Sequence, residues 1–334
     1  SWRTIEPMTL GGRLEHGCCS IDEHRMILVG GLDILFKRLS SGTIYDVRTK
    51  QWTPLPSDMP VAIYCCRAVS DGAHFVYVVG GRDQHGAVNT LLRLSLDTYK
   101  WTIMSPMSTA RRQCAVVMKD DYIYAFGGQG GILTNLSSAE RYSVANDSWE
   151  PLPDIATRRY GHCAVLCGSD VYIVGGVQGA RSVEVFDTVL QKWKMEKTIR
   201  DMPDKREYAA ATMLKDRYLF VFGGRTDNAT DPARRCLIYD CIFNRWSLTP
   251  ASIVVSRIDH SVAVLGGKII VAGGINRGYS RPFSSLKLIC SQSLLKYAPL
   301  IYPLPRFYYN QLLVLGKHDD SDDAVSWRVS DTAP

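Results

Sequence analysis

Short apolar runs, each closed by a pair of glycines, recur along the chain at nearly constant spacing. The runs are Met26-Ile-Leu-Val, Val76-Tyr-Val-Val, Ile123-Tyr-Ala-Phe, Val171-Tyr-Ile-Val, Leu219-Phe-Val-Phe and Ile269-Ile-Val-Ala. The doublets that end them are Gly30-Gly31, Gly80-Gly81, Gly127-Gly128, Gly175-Gly176, Gly223-Gly224 and Gly273-Gly274, with gaps of 50, 47, 48, 48 and 50 residues. An unbroken stretch of β-branched and aromatic residues stopped by glycine reads as a strand buried on both faces.

A second marker keeps the same period. An apolar residue lies seven positions before a tryptophan in five repeats: Tyr45 and Trp52, Leu94 and Trp101, Tyr142 and Trp149, Phe186 and Trp193, Tyr239 and Trp246. The residues between them are polar and turn-like, so each pair frames a hairpin between two outer strands. Turn clusters such as Asp71-Gly72 and Lys119-Asp120-Asp121 precede the Gly-Gly strands, and another apolar run, such as Ala115-Val-Val-Met, precedes each turn. Four strands per period result. No segment carries a sustained helical stripe, so the chain is predicted to be all-β.

A four-stranded unit of about 48 residues cannot bury both of its faces alone, so copies must pack on one another; radial stacking gives a β-propeller. The residues resemble kelch repeats. The likeness rests on the six doublets in register, the aromatic and Trp seven apart, the acidic residue in Glu140-Arg-Tyr142 and Glu184-Val-Phe186, and the Ser105-Pro-Met-Ser-Thr-Ala-Arg111-Arg112 string. It covers about residues 1–300, and Ser138-Ala-Glu-Arg-Tyr and Arg158-Arg-Tyr-Gly-His are most similar to the BTB-linked type. The final stretch departs from the pattern, with an acidic Asp319-Asp-Ser-Asp-Asp loop.

The whole chain, 1–334, is therefore expected to be one propeller of four-stranded antiparallel blades. Six regular kelch blades would occupy about 1–298, Tyr297 standing in for the sixth tryptophan. Strands left over at both ends, near 307–315 and 325–328 and around Trp2, favour a seventh, irregular blade built from about 299–334 with residues 1–8. Such closure removes open sheet edges. Six blades with appendages is the alternative.

Composition narrows the class further. With 46% hydrophobic and 22% charged residues the chain is ordinarily globular, and no apolar run approaches a membrane span. It begins Ser1-Trp2-Arg3 without a leader, which reads as a piece cut from a longer protein. Ten cysteines include no C-x-x-C spacing, and Cys114, Cys163 and Cys167 lie in apolar stretches. They read as reduced core thiols of a cytoplasmic protein, with the nucleus an alternative.

The doublets and the five tryptophans are expected to be scaffold, so function is sought in loops that differ between blades. Arginine enters the first strand of most repeats, at Arg13, Arg112, Arg159, Arg206, Arg257 and Arg306, with the second repeat departing at Tyr64-Cys-Cys-Arg67. More follow the doublets: Arg82, Arg181, Arg225, Arg277 and Arg281. In a propeller these loops would share one channel mouth, where the net charge of +6 would concentrate. A ring of guanidinium forks is a carboxylate or phosphate receptor, and Tyr64, Tyr160, Tyr208 and Tyr279 could pack on apolar side chains of a bound peptide. The candidate peptide site is thus Arg82, Arg112, Arg159, Arg181, Arg225, Arg277, Tyr64, Tyr160 and Tyr208. An arginine at a repeated position also reads as a bond to a neighbouring blade, and the strand-entry set stands evenly between the two roles. His16, His162 and His260, three residues after strand-entry arginines, read as core hydrogen-bonding residues.

No catalytic or metal-binding string is present, so the chain is expected to be no enzyme and to hold no metal or cofactor. Its 39 basic residues are offset by 33 acidic ones without blocks, which argues against nucleic acid, and no membrane partner is expected. The expected function is binding of a short acidic or carboxylate-bearing protein segment at the mouth. The kelch resemblance implies a substrate receptor for a cullin-type ubiquitin ligase, recruited through a BTB or F-box module outside these residues. The rival expectation is a cytoskeletal (actin-associated) or assembly scaffold that contacts partners through blade flanks.

Overall fold

In the computed structural model of the chain, each Gly-Gly run is the second strand of a four-stranded antiparallel sheet. The structure describes residues 2–5, 8, 12–33, 35–131, 134–194, 199–227, 233, 235–252, 257–275 and 312–315. All its elements are strands, and no helix among the described residues is long and apolar enough to cross a membrane.

The N-terminal strand is β1 (Trp2–Ile5). Blade 1 follows as β2 (Gly17–Ser20), β3 (Arg25–Val29), β4 (Gly42–Asp46) and β5 (Gln51–Pro54). Blade 2 is β6 (Arg67–Ser70), β7 (Phe75–Val79), β8 (Leu91–Ser95) and β9 (Trp101–Met104). Blade 3 is β10 (Ala115–Lys119), β11 (Tyr122–Phe126), β12 (Ala139–Ser143) and β13 (Ser148–Leu152). Blade 4 is β14 (Cys163–Cys167), β15 (Asp170–Val174), β16 (Val183–Asp187) and β17 (Lys192–Trp193). Blade 5 is β18 (Ala210–Leu214), β19 (Tyr218–Phe222), β20 (Arg235–Asp240) and β21 (Arg245–Ser252). A further sheet contains β22 (Ile258–Leu265), β23 (Lys268–Ile275), β24 (Leu312–Leu315) and, as its outermost strand, β1.

The blade count departs from the sequence expectation. Five blades, not six, are regular in having four consecutive strands, and no seventh sheet exists among the described residues. The strand at 312–315 was expected to open a closing blade; it instead pairs with β23, and β1 pairs with it from Trp2 opposite Leu315 to Ile5 opposite Leu312. The misreading has a physical cause: the third strand of the last sheet does not follow its Gly-Gly doublet at the usual distance. The remaining residues assigned to a closing blade, including Trp327, lie outside the described residues.

Strand alternation explains the continuous apolar runs. Along β7, Val76 and Val78 pack with Ile27, Val29 and Ile44 of blade 1, whereas Tyr77 and Val79 pack with Ile123, Ala125 and Tyr142 of blade 3. Successive side chains point to opposite faces of a sheet, and here both faces meet another blade. The same interleaving continues around the ring to Ala263, Ile270 and Ala272 against Met26, Leu28 and Tyr45. The apolar cores lie between blades, and the inner strands β2, β6, β10, β14, β18 and β22 neighbour one another in a closed cycle.

The Tyr/Trp marker pairs sit directly opposite each other on the outer two strands, as in Tyr142 with Trp149, whose rings lie 5.3 Å apart. Trp101, Trp149, Trp193 and Trp246 each donate the indole N–H to a backbone carbonyl of the segment leading into their blade, at 2.8 to 3.3 Å. Each such tryptophan therefore fills a core and ties two blades together. The nine described cysteines are free thiols.

Candidate functional site

Two rings of backbone hydrogen bonds build the mouth. In the outer ring the amide of the second glycine of each doublet donates to a carbonyl of the next sheet. Gly31 reaches Ile63, Gly81 reaches Arg111, Gly128 reaches Arg159, Gly176 reaches Arg206, Gly224 reaches Arg257 and Gly274 reaches Arg13. Those carbonyls approach so closely that a Cβ on the first glycine would meet them; Gly175, at φ +64°, leaves no room beside the Arg206 carbonyl. Only glycine combines that left-handed backbone with that approach.

The inner ring runs through Glu15, Cys65, Gln113, Gly161, Tyr208 and Asp259, all with φ between 51° and 60°. Cys65 N–H donates to Glu15 C=O at 2.7 Å, Gln113 to Cys65 at 2.9 Å and Gly161 to Gln113 at 3.0 Å. Tyr208 donates to Gly161 at 2.8 Å, Asp259 to Tyr208 at 3.1 Å and Glu15 to Asp259 at 3.3 Å, which closes the circle. Holding non-glycine residues in the left-handed region costs about 1–2 kcal/mol each, and the ring bonds offset it.

On this frame the arginines divide into two populations. Arg13, Arg111, Arg159, Arg206 and Arg257 are all at most 2% exposed. Each Nη1 donates to the carbonyl of the first glycine in its own sheet's doublet: Gly30, Gly127, Gly175, Gly223 and Gly273 respectively. Arg111 also pairs with Glu140 at 2.7 Å, and Arg159 with Glu184. Glu140 in turn accepts the amides of Ser108 and Thr109. Burial alone would push its carboxyl up, but the Arg111 and Ser108 hydrogen bonds outweigh burial and hold it below the usual carboxylate range.

Arg159, a candidate for peptide binding, thus belongs to the scaffold. By sequence Arg112 aligns with Arg159, but the structural equivalent of Arg159 is Arg111, one residue earlier. In the second blade this position is Ile63.

The next residue in each repeat bridges to the residue after the doublet. Leu14 bridges to Leu32, Tyr64 to Arg82, Arg112 to Gln129, Tyr160 to Val177 and Glu207 to Arg225. In the last sheet Ile258 lies opposite Ile275. The two loop sets therefore do meet, and they divide the mouth. Leu14, Leu32, Ile258 and Ile275 form an apolar cluster with Tyr64 and Tyr208 against it. Arg82, Arg112 and Arg225 belong to the other repeats.

Arg82 lies over the Tyr64 ring at 6.0 Å and Arg225 over the Tyr208 ring at 5.5 Å. Tyr160 meets Tyr208 edge-on at 6.0 Å. Arg225 also pairs with buried Glu207, which Lys205 reaches at 2.8 Å. Arg82 and Arg112 form no ion pair among the described residues. Arg181 is exposed and pairs with Asp227 at 3.0 Å. Arg277, Tyr279, Arg281 and Arg306 lie outside the described residues.

The three histidines are interior. His16, His162 and His260 are at most 6% exposed, each edge-on against the first glycine of the preceding doublet. Burial, then the nearby strand-entry arginine, lowers the pKa of His16 and of His260 to about 3 and that of His162 well below its usual value. They are neutral at physiological pH. No group of three or more possible metal-ligating side chains occurs among the described residues.

The doublet, its buried arginine, and the Tyr/Trp pair recur together around a closed ring. A family model described as the KLHDC2/KLHL20/DRC7 Kelch-repeats domain matches residues 1–176 and 161–292. The chain belongs to the kelch-repeat family. Among relatives, zebrafish (Danio rerio) Kelch-like protein 26 is 27% identical over 69% of this chain and 39% of its own length. Rat (Rattus norvegicus) Kelch-like protein 38 is 27% identical over 75% of this chain and 42% of its own. Vaccinia virus (strain Western Reserve) Kelch repeat protein C2 is 24% identical over 61% and 38%. The kelch chain described here spans about two-fifths of the length of such relatives.

Proposed function

We propose that residues 1–334 act as one protein-binding domain whose mouth takes a short segment carrying a carboxylate beside an apolar side chain. The observation that carries this reading is the contrast in charge pairing: Arg82 and Arg112 have no acidic partner among the described residues, although interior Arg111 and Arg159 are paired. Tyr64 and Tyr208, half-buried against the interior cluster of Leu14, Leu32, Ile258 and Ile275, offer the complementary half. Arg225 belongs to the same surface, its charge shared with Glu207. A guanidinium fork takes a carboxylate by two parallel hydrogen bonds, and the tyrosines supply rigid contact area. Arg277 and Arg181 are carried as further peptide contacts. No covalent chemistry is assigned to the site.

Membership of the kelch family, with relatives named Kelch-like proteins of which the matched part is about two-fifths, supports a role as substrate receptor of a cullin-type ubiquitin ligase. The connection to the ligase would be made by a domain outside these residues.

Randomised-peptide display tests the mouth directly. The wild-type chain is expected to enrich Asp- or Glu-bearing peptides, and the folded Arg82/Arg112/Arg225→Ala variant to lose them. Peptides selected equally by both proteins would sink the reading.

A second reading, an assembly scaffold of the actin-associated kind, draws on a different surface. The hairpin tips of blades 4 and 5 carry Val189 and Leu190, and Ile242 and Phe243, all more than 65% exposed, on adjacent blades. Binding that fails in a Leu190/Phe243→Ser variant but survives the mouth variant would favour it.

A further inference from the structure

Two of the residues that follow a doublet hold a guanidinium over a tyrosine ring: Arg82 at 6.0 Å from Tyr64, and Arg225 at 5.5 Å from Tyr208. Their blades, 2 and 5, stand three sheets apart either way round the closed cycle of inner strands. An arginine-on-tyrosine unit therefore lies on each of two opposite sides of the mouth.

The two units differ in what the guanidinium holds. Arg82 forms no ion pair among the described residues, and neither does Arg112 on the next blade. Arg225 already has a carboxylate. Its Nε donates to Glu207 Oε2 at 2.6 Å, and its Nη2 reaches the same oxygen. The other oxygen, Oε1, is taken by Lys205 Nζ at 2.8 Å. Glu207 is buried, whereas 51% of the Arg225 side chain is open to solvent.

The fold does not call for a carboxylate at this position. Its equivalents in the other sheets are Leu14, Tyr64, Arg112, Tyr160 and Ile258. The bridge in blade 5 is made by backbone alone: Arg225 N–H donates to Glu207 C=O at 2.7 Å, and Glu207 N–H to Arg225 C=O at 3.1 Å. Leu14 and Leu32 form the same pair of bonds with no charge present, at 3.1 and 2.9 Å. The Glu207 side chain is thus peculiar to blade 5. It makes there the contact that a partner's carboxylate would make with an open guanidinium. A second carboxylate arriving at Arg225 would meet like charge, and displacing Glu207 would strand a buried anion.

We propose that Glu207 is the built-in occupant of a second carboxylate site of the mouth and so sets its specificity. The partner segment carries one acidic anchor, received at Arg82 and Arg112, and a second acidic side chain on the blade 5 side is rejected. This inference rests on the peptide-binding reading of the mouth and sharpens it.

The test is randomised octapeptide display on the full chain, followed by fluorescence-polarisation affinities of the selected peptides. The wild type is expected to enrich peptides with a single acidic position. Glu207→Gln keeps the side-chain shape without the charge, and Glu207→Leu installs the residue type that blade 1 has at this place. Both variants are expected to enrich a second acidic position, and to bind those peptides at least about fivefold more tightly than the wild type does. Adding Arg225→Ala to Glu207→Gln should abolish the gain. A merely structural Glu207 would lower affinity on substitution or leave it unchanged, not raise it. A wild type that selects acidic peptides, with no gain in either variant or a gain that survives the loss of Arg225, overturns the inference and leaves the mouth reading standing. A wild type that enriches no acidic position overturns both.

Discussion

Arg111 and Arg112 are chain neighbours with opposite fates, and the contrast separates what holds this propeller together from what it offers to a partner. Arg111 is fully buried, bonded to two backbone carbonyls, to the Ser138 hydroxyl and to Glu140. Arg112 is partly exposed, bridges to Gln129 through its backbone and has no ion pair among the described residues. Chain alternation explains the difference. Arg111 and Arg112 are successive residues of extended chain just before the left-handed ring position Gln113, so one side chain points into its own blade and the next to the opposite side. Composition treats these residues as equal, whereas the backbone assigns one to the scaffold and the other to the surface.

The strongest way to break that comparison is to remove a buried arginine. Arg159→Ala should destabilise the fold by about 3–5 kcal/mol, because Glu184 would remain buried without its partner. Denaturant unfolding measures it. A loss below about 1 kcal/mol would show that the buried set is dispensable and the division false. Replacing both partners, as in Arg159→Met with Glu184→Leu, should recover much of the loss, since the main cost is the stranded charge.

This division was only half legible in the sequence. The Gly-Gly strands, the four-strand repeat and the Tyr/Trp hairpins could be read because each depends on local patterning and a constant period. Tyr64, Arg82, Arg112, Tyr160, Tyr208 and Arg225 could be grouped because they follow repeat landmarks, and the structure joins Tyr64 to Arg82, Tyr160 to Tyr208 and Tyr208 to Arg225; their part in peptide binding is a proposal. Arg159 belonged to a strand-entry set that reads equally as structural or binding; the slip of one residue lay in Arg112, because Arg111-Arg112 and Arg158-Arg159 are both pairs. In extended chain such a slip reverses the side a residue faces. A constant offset of 16 or 17 from each arginine to the first glycine of its doublet would have corrected it. The blade count failed for a non-local reason: the last sheet recruits strands from 312–315 and from the N-terminus, which no period reports.

The buried histidines sharpen the same contrast through pH. His16 and His260 have pKa values lowered to about 3 by burial and by their arginine neighbours, against about 6.5 when unfolded. Between those values the unfolded chain binds a proton on each and the folded chain does not. Stability is therefore full above about pH 6.5 and falls as pH drops, by up to ~1.4 kcal/mol per pH unit for each histidine. Urea unfolding from pH 7.5 to 4.5 should show this slope, and His16→Gln should reduce it by one proton's worth. An unchanged slope would mean that the imidazole can be protonated in the fold.

A smaller effect is expected at the outer blade seams. Trp149→Phe keeps most of the ring packing against Tyr142 but removes the indole donor to the Ser105 carbonyl. The expected loss is about 1 kcal/mol in chemical denaturation, the ordinary worth of one such bond plus a stranded acceptor. A loss near zero would mean that the tryptophans act through packing alone.

The least effect on stability should come from the mouth. Arg112→Ala removes a cation that no described carboxylate accompanies, so its unfolding free energy should stay within about 0.5 kcal/mol of wild type. Arg82→Ala should behave alike, with a small loss of its contact over Tyr64. Arg225→Ala should cost somewhat more, because Glu207 is 3% exposed and, among the described residues, would keep only Lys205 as an ion-pair partner. Affinity for an acidic peptide selected by the wild type should nevertheless fall about tenfold or more for each loss of a paired guanidinium. Stability nearly unchanged with binding lost is the signature of a surface arginine. Stability lost together with binding would place Arg112 among the structural set, and the boundary between neighbouring residues 111 and 112 would disappear.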